Sequence, residues 1–285
     1  MGYPMARHLL EAGHEVALWT HTAAKARELA AKGKGTACAT PKEVAQRSDL
    51  ICYCVGDNAM ARAITLGKDG LIEGLRPNSV TADCSTIAVA ESIEIGSAFA
   101  AKGAHFLDAP ITGSKAGAEG GTLTFMVGGD QGAFDRFTPC FDAMGKRTFY
   151  CGAAGQGLQA KLALNMIMAN VLQAYSEGFV LAVKNGIKAD MMFEILDNTA
   201  GKSALMSAKA PSILKRDFST KFSIKWMHKD VGLALESAKA VDLPLPLTAV
   251  TEQMLRATIA KGYGEDDFCS VIRIMEDLAG IEVKG

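Results

Sequence analysis

Residues 79–108 read SVTADCSTIAVAESIEIGSAFAAKGAHFLD. An apolar run at 79–83, a helical pattern over 88–102 and a second short run at 104–108 make a strand–helix–strand unit. Strands rich in apolar residues fit a parallel sheet covered on both faces by its crossover helices. The same alternation extends in both directions. Upstream lie strand patterns at 15–20 (EVALWT) and 49–55 (DLICYCV); downstream, 122–127 (TLTFMV) runs into Gly128-Gly129, and 147–151 makes a late strand. Helical patterns at 23–31, 41–46, 58–64 and 132–144 separate them. One partner is missing. The opening MGYPMAR, residues 1–7, is already helical in pattern, so the strand at 15–20 has no strand before it. A sheet wound in this way carries its first strand at the centre.

Beyond about Gly157 the period becomes helical and stays so. A long helix is expected over 156–184, stopped by Asn185-Gly186, and later helices begin near Ala189, Ser203, His228 and Thr248, with Pro244 and Pro246 breaking the pattern. The expected fold is therefore α/β. A Rossmann-like, doubly wound parallel sheet over 1–150 lacks its first strand, and a long helix joins it to an all-helical domain over 151–285.

With 285 residues, 49% hydrophobic and 21% charged, the chain can bury two cores. A net charge of −1 gives no basic surface for nucleic acid and no Lys/Arg run for a membrane. The apolar stretch 158–183 is long enough to suggest a membrane span. Lys161, Asn165, Asn170, Gln173 and Glu177 interrupt it, which points to a buried helix instead. Seven cysteines without a Cys-x-x-Cys spacing read as reduced thiols, so a cytoplasmic protein is expected, and no signal peptide is visible. The five histidines show no metal-ligand spacing, so no metal site is expected.

Four separated segments carry chemistry. The first is MGYPMA, residues 1–6. The second is 108–121, DAPITGSKAGAEGG, a loop rich in small residues that let backbone N–H groups approach an anion. The third is Gly155-Gln156-Gly157 followed by Lys161 and Asn165, where a spacing of four puts the lysine and the amide one turn apart on one helix face. The fourth is Lys229-Asp230 within WMHKDVGLAL. Taken singly, the last three have plain structural readings: a turn, a snorkelling lysine, a solvated helix start. Together, across the whole chain, they resemble the β-hydroxyacid dehydrogenases, the family of 3-hydroxyisobutyrate dehydrogenase, tartronate semialdehyde reductase and glyoxylate/succinic semialdehyde reductase.

That resemblance implies an NAD(P)-dependent oxidoreductase. A hydride would pass between the cofactor and a short 3-hydroxy acid, semialdehyde or 2-oxo acid, with Lys161 as general acid/base and Asn165 orienting it or binding the substrate oxygen. Desolvation lowers a lysine's pKa toward working pH, as the task requires. Thr112, Gly113 and Ser114 match the loop that holds the substrate carboxylate. Gly2 matches the third glycine of a Gly-x-Gly-x-x-Gly turn, where it would allow close packing beside the pyrophosphate. Val55 and Gly56 and the D-x-S-T stretch ending at Thr86 match further cofactor contacts, as does Lys229. Thr20, His21 and Thr22 would reach the adenosine ribose. No acidic residue stands there and Lys25 and Arg27 follow, a lean toward NADP. Leu164 stands where the larger 6-phosphogluconate enzymes place a histidine, which favours a smaller substrate. Asp267-Phe268-Cys269-Ser270 matches a family stretch that is structural or lines the cleft. The family also implies a homodimer or homotetramer formed through the helical domain.

The absent first strand leaves two alternatives. Either Met1 is an internal methionine of a longer reading frame, or the chain binds its cofactor weakly. A non-catalytic dinucleotide-binding or assembly module is the alternative function; the intact Lys161/Asn165 pair argues against it.

Overall fold

A computed structural model describing residues 1–285 divides into two units, Met1–Lys161 and Leu162–Gly285. In the first, α1 (Gly2–Glu11), β1 (Val16–Leu18), α2 (Ala23–Ala30), β2 (Gly35–Ala37), α3 (Pro41–Arg47) and β3 (Leu50–Tyr53) are followed by α4 (Asn58–Leu66), β4 (Val80–Asp83), α5 (Val89–Ala100) and β5 (His105–Asp108). Then come β6 (Ile111–Thr112), α6 (Ser114–Glu119), β7 (Leu123–Gly129), α7 (Gln131–Met144) and β8 (Gly145–Gly152). Local chemistry sets several helix starts. The Thr40 hydroxyl, the Asp57 carboxylate and the Asp130 carboxylate each accept a backbone N–H from the first turn of α3, α4 and α7.

The strands form two sheets. β1 pairs only with β2, and β3, β4 and β5 run parallel and in register. The sheet order is thus broken between β1 and β3. β1 and β3, which the sequence reading left without a shared central strand, lie in separate sheets. Val16 on one side and Leu50 and Cys52 on the other still pack against the same core, beneath Met5 and Leu9 of α1. Two further departures concern strands. The sheet is mixed, because β7 runs antiparallel to β5 and β6. The link from Asp108 to Leu123 contains only a two-residue strand and a six-residue helix, too little for a crossover across the sheet face. The 14-residue α7 does provide a crossover, and β8 is accordingly parallel to β7. The sequence reading also passed over β2 and β6, which are three and two residues long.

The second unit is helical: the body of α8 (Gln156–Lys184), then α9 (Ala189–Asp197), α10 (Ala204–Leu214), α11 (Ile224–Lys239), α12 (Pro246–Thr258) and α13 (Ile272–Ala279). Ala169, Leu172, Phe179 and Val180 of α8 enter one core with Met206, Ile213, Met227, Val231, Leu255 and Ile272. α8 is the one helix long and apolar enough to cross a membrane, by length and composition alone, and part of its apolar surface is buried in this core. α11 begins four residues before the expected His228. The N–H groups of Ile224 and Lys225 donate to the carbonyls of Asp266 and Gly264, partners that leave no local capping signal. α12 begins with Pro246 in its first turn, where a proline costs nothing, rather than at Thr248. α13 was not anticipated.

Asp267 organises this unit. Its carboxylate receives the Lys209 ammonium at 2.7 and 2.8 Å and accepts backbone N–H bonds from Lys221, Phe222 and Cys269. Burial pushes this carboxyl up, but the hydrogen bond and charge of Lys209 outweigh it and hold it below its ordinary value. The D-F-C-S stretch is thus structural. Lys209→Met leaves a buried carboxylate without its cation and should cost about 3–5 kcal/mol. Thermal unfolding followed by circular dichroism should show the loss at pH 7. A depressed carboxyl stabilises above its unfolded pKa, so the difference from wild type should shrink as the solution is acidified below the ordinary carboxylate range.

Candidate active site

Three groups of residues gather in the first unit. At the carboxyl ends of β3 and β4, the Val55 N–H donates to the Ser85 hydroxyl at 2.8 Å, and the Ser85 N–H donates to Asp83 Oδ1 at 2.8 Å. The Ala88 N–H donates to Asn58 Oδ1 at 2.9 Å. These bonds tie the loop holding Val55 and Gly56 to the loop holding Thr86, and all three of those residues are half-buried. Asp83 is buried, which pushes its carboxyl up to about 6, and burial also raises the Tyr53 phenol paired in register with it. In an open sheet this carboxyl edge is where ligands lie. Thr20, His21 and Thr22 follow β1; Thr20 and Thr22 are half-buried and His21 is exposed. Gly2 opens α1 and is exposed, and a Cβ there would meet nothing within 4 Å. The close helix–strand packing expected of Gly2 is therefore not seen.

The second group is the loop after β5. Thr112 ends β6, Gly113 adopts φ +129° and Ser114 adopts φ +57°. Two successive residues with positive φ turn the backbone sharply, and for a serine this conformation is uncommon. Gly113 and Ser114 are exposed and Thr112 half-buried, so their polar groups face solvent.

The third group is the start of α8. Gly155 has φ +88°, and its N–H donates to Asp108 Oδ1 at 2.7 Å. The Leu158 N–H donates to Asp108 Oδ2 at 2.8 Å. A Cβ on Gly157 would lie 2.6 Å from the Asp108 carbonyl oxygen and 2.8 Å from the Gly128 nitrogen, so only glycine lets the helix sit this low on the sheet end. Lys161 follows one turn later and Asn165 one turn after that, and both side chains are buried, at 7% and 2% exposure. A long cation is rarely buried without purpose.

In the second unit, Asp230 links two of the residues singled out in the sequence. Its Oδ2 accepts from the Asn165 amide at 2.6 Å, and its Oδ1 lies 2.9 Å from Lys229 Nζ. Asp230 is therefore a buried acceptor for Asn165, with the half-buried Lys229 beside it. Asp108, Asp83 and Asp230 are the residues whose part sequence reading missed. All three stood inside the quoted motifs, but their partners come from 47, 2 and 65 positions away, and only the two-residue link could have been read locally.

A strand array with its loops gathered at the carboxyl edge, continued by a helix that buries a lysine one turn from its start, is the architecture of a dinucleotide-dependent oxidoreductase. Comparison with known proteins makes the class specific. Residues 1–152 match the profile of the NAD-binding domain of 6-phosphogluconate dehydrogenase, and residues 155–275 that described as NAD-binding of NADP-dependent 3-hydroxyisobutyrate dehydrogenase. The chain is 33% identical over 286 residues to 2-(hydroxymethyl)glutarate dehydrogenase of Eubacterium barkeri, covering 100% of this chain and 95% of that one. It is also 33% identical to glyoxylate/succinic semialdehyde reductase 1 of Arabidopsis thaliana, covering 97% and 95%. Among solved structures, Mycobacterium tuberculosis 3-hydroxyisobutyrate dehydrogenase with L-serine superposes with a TM-score of 0.88 at 31% identity, covering 96% and 95%. The chain belongs to the β-hydroxyacid dehydrogenase family. It is an NAD(P)-dependent enzyme, and its full-length likeness to dehydrogenases and reductases decides against a non-catalytic assembly module.

Proposed function

We propose that the protein interconverts a short 3-hydroxy acid and the corresponding semialdehyde, or reduces a small 2-oxo acid, with Lys161 as general acid/base. The observation that carries this reading is the buried Lys161, one turn into a helix anchored by Asp108 to the strand that leads into the Thr112–Gly113–Ser114 turn. That turn binds the substrate carboxylate through its backbone N–H groups and hydroxyls. Nζ of Lys161 delivers a proton to the carbonyl oxygen in reduction and removes it in oxidation. Asn165, fixed by Asp230, orients Lys161 or holds the same oxygen.

The cofactor fit is tested by the carboxyl edge. Residues 1–150 serve as the nucleotide-binding domain and 151–285 as the substrate and assembly domain. The tied loops of Val55, Gly56 and Thr86 suit a nicotinamide dinucleotide. Gly2 at the start of α1, the Thr20–His21–Thr22 stretch and Lys229 are the further contacts. When bound, the nicotinamide supplies or takes up the hydride. The ribose-side stretch carries no carboxylate, and the exposed Lys25 and Arg27 follow it, which supports NADP over NAD. A lower KM for NADPH than for NADH is expected in steady-state assays, and Lys25→Glu/Arg27→Glu should narrow or reverse the ratio. A preference for NADH in the unaltered enzyme would sink the assignment.

The helical unit leaves Ile167 and Leu181 of α8, Met191 of α9, and Leu247 and Val250 of α12 exposed. Apolar side chains in this number support a homodimer or homotetramer formed through that unit, to be measured by light scattering. The seven free thiols suit a reducing compartment such as the cytoplasm. A panel of short semialdehydes, 2-oxo acids and hydroxy acids against both cofactors tests the reaction directly; absence of turnover with every carboxylate would refute it.

A further inference from the structure

We propose that Asp108 is a positioning residue that holds the lysine-bearing helix and the substrate loop in one fixed geometry. This rests on the reading of Lys161 as acid/base and of Thr112–Ser114 as the carboxylate loop. Helix α8 has no side-chain cap from its own flanking residues. Helices α3, α4, α7 and α10 take their first-turn hydrogen bonds from a side chain at their own N-cap, Thr40, Asp57, Asp130 and Ser203. The longest helix, α8, is preceded by Ala153-Ala154-Gly155, which offers no such side chain. Its cap comes from the end of β5, 47 residues earlier in the chain. The Asp108 carboxylate is buried at 2% exposure and spends its two oxygens on two different N–H groups, those of Gly155 and Leu158.

One acceptor would fix only the distance of the helix from the strand. Two acceptors on donors three residues apart also fix its rotation about its own axis. That rotation decides where Lys161 points, because Lys161 lies three residues beyond Leu158. In the other direction along the chain, Thr112 lies four residues beyond Asp108, after Ala109 and Pro110. The same carboxylate therefore governs the spacing between the group that would grip the substrate and the group that would protonate it. Gly128, the register partner of Asp108, and Gly157 strip side chains from both sides of the anchor. A Cβ on Gly128 would fall 2.7 Å from Asp108 Oδ1. A displacement of about 1 Å at a reacting group can cost roughly 10²-fold in rate.

Asp108→Asn keeps the shape of the side chain but turns an NH2 toward a backbone N–H, so one of the two bonds is lost. The expected result is a folded enzyme whose kcat falls about 30-fold or more, with the KM for the carboxylate substrate and the Kd for NADPH within about threefold of wild type. The pH profile of kcat should shift with it, since Lys161 no longer meets the substrate oxygen as before. A folded Asp108→Asn enzyme with wild-type kcat, or one whose loss lies wholly in KM or cofactor affinity, would overturn the proposal. Should that variant not fold, amide hydrogen exchange on the wild-type protein decides: the Gly155 and Leu158 amides should be strongly protected, and exchange at open-loop rates would overturn it. Lys161→Met, run in parallel, separates the two levels. If it abolishes turnover while Asp108→Asn does not slow it, the positioning role fails alone. If Lys161→Met turns over normally, the acid/base reading itself fails and the positioning role falls with it.

Discussion

Lys161→Met should lower kcat by about 10²–10⁴-fold while the protein folds and binds NADPH as before. Methionine is the informative replacement. Lys161 is 7% exposed, so alanine would leave a cavity and mix a packing defect with the loss of the amine. Methionine fills a similar volume with an unbranched apolar chain and removes only the proton donor. Fluorescence titration of NADPH, thermal unfolding and single-turnover reduction of a short semialdehyde measure the three quantities separately. The pattern sought is unchanged affinity, a cooperative unfolding transition that shows a folded protein, and lost chemistry. Turnover within tenfold of wild type would remove Lys161 from the mechanism. A parallel loss of NADPH binding would instead assign the lysine to the cofactor.

The end of the long helix 156–184 was legible in the sequence because Asn185-Gly186 stops it, Gly186 taking φ +87°, whereas no side chain just before Gln156 marks its start. The strands at 50–53, 80–83 and 105–108 were legible because strands of a parallel sheet are rich in apolar residues. The break in the sheet was legible too, since the strand at 16–18 had no predecessor and β1 pairs with β2 alone. The antiparallel turn of β7 was not, because direction is set by the length and path of a connection and not by the composition of the strand. The start of α11 was misplaced since its first N–H groups bond to Asp266 and Gly264 carbonyls, which any residues would supply. Within the site, the residue types of Lys161, Asn165 and the Thr112–Ser114 loop stood out. The carboxylates that hold them, Asp108 and Asp230, act through pairings set by tertiary structure, which no spacing rule reveals.

Gly157→Ala tests whether the close approach beneath the helix is real, because two principles give opposite signs there. Gly157 is the second residue of α8, and by helix propensity alone alanine should stabilise by up to about 1 kcal/mol. The new Cβ, however, would stand 2.6 Å from the Asp108 carbonyl oxygen and 2.8 Å from the Gly128 nitrogen. Both are backbone atoms of paired strands and cannot swing aside as a side chain would. Overpacking typically costs about 1–3 kcal/mol and more when backbone must move, so the clash should win. The expected net loss is about 1–2 kcal/mol, a fall in Tm of roughly 2–8 °C for a chain of this size. The strain is relieved by lifting the first turn of α8 off β5 and β7, which lengthens the Asp108 bonds and carries Lys161 with it. Turnover should therefore fall by about 10²-fold even though alanine bears no functional group. Gly232→Ala on α11 provides the contrast, since a Cβ there would meet nothing within 4 Å and propensity alone should operate. It should raise Tm slightly. If Gly157→Ala raised Tm as well and left kcat intact, the helix would not be seated on the sheet end, and neither glycine nor carboxylate would be holding the lysine in place.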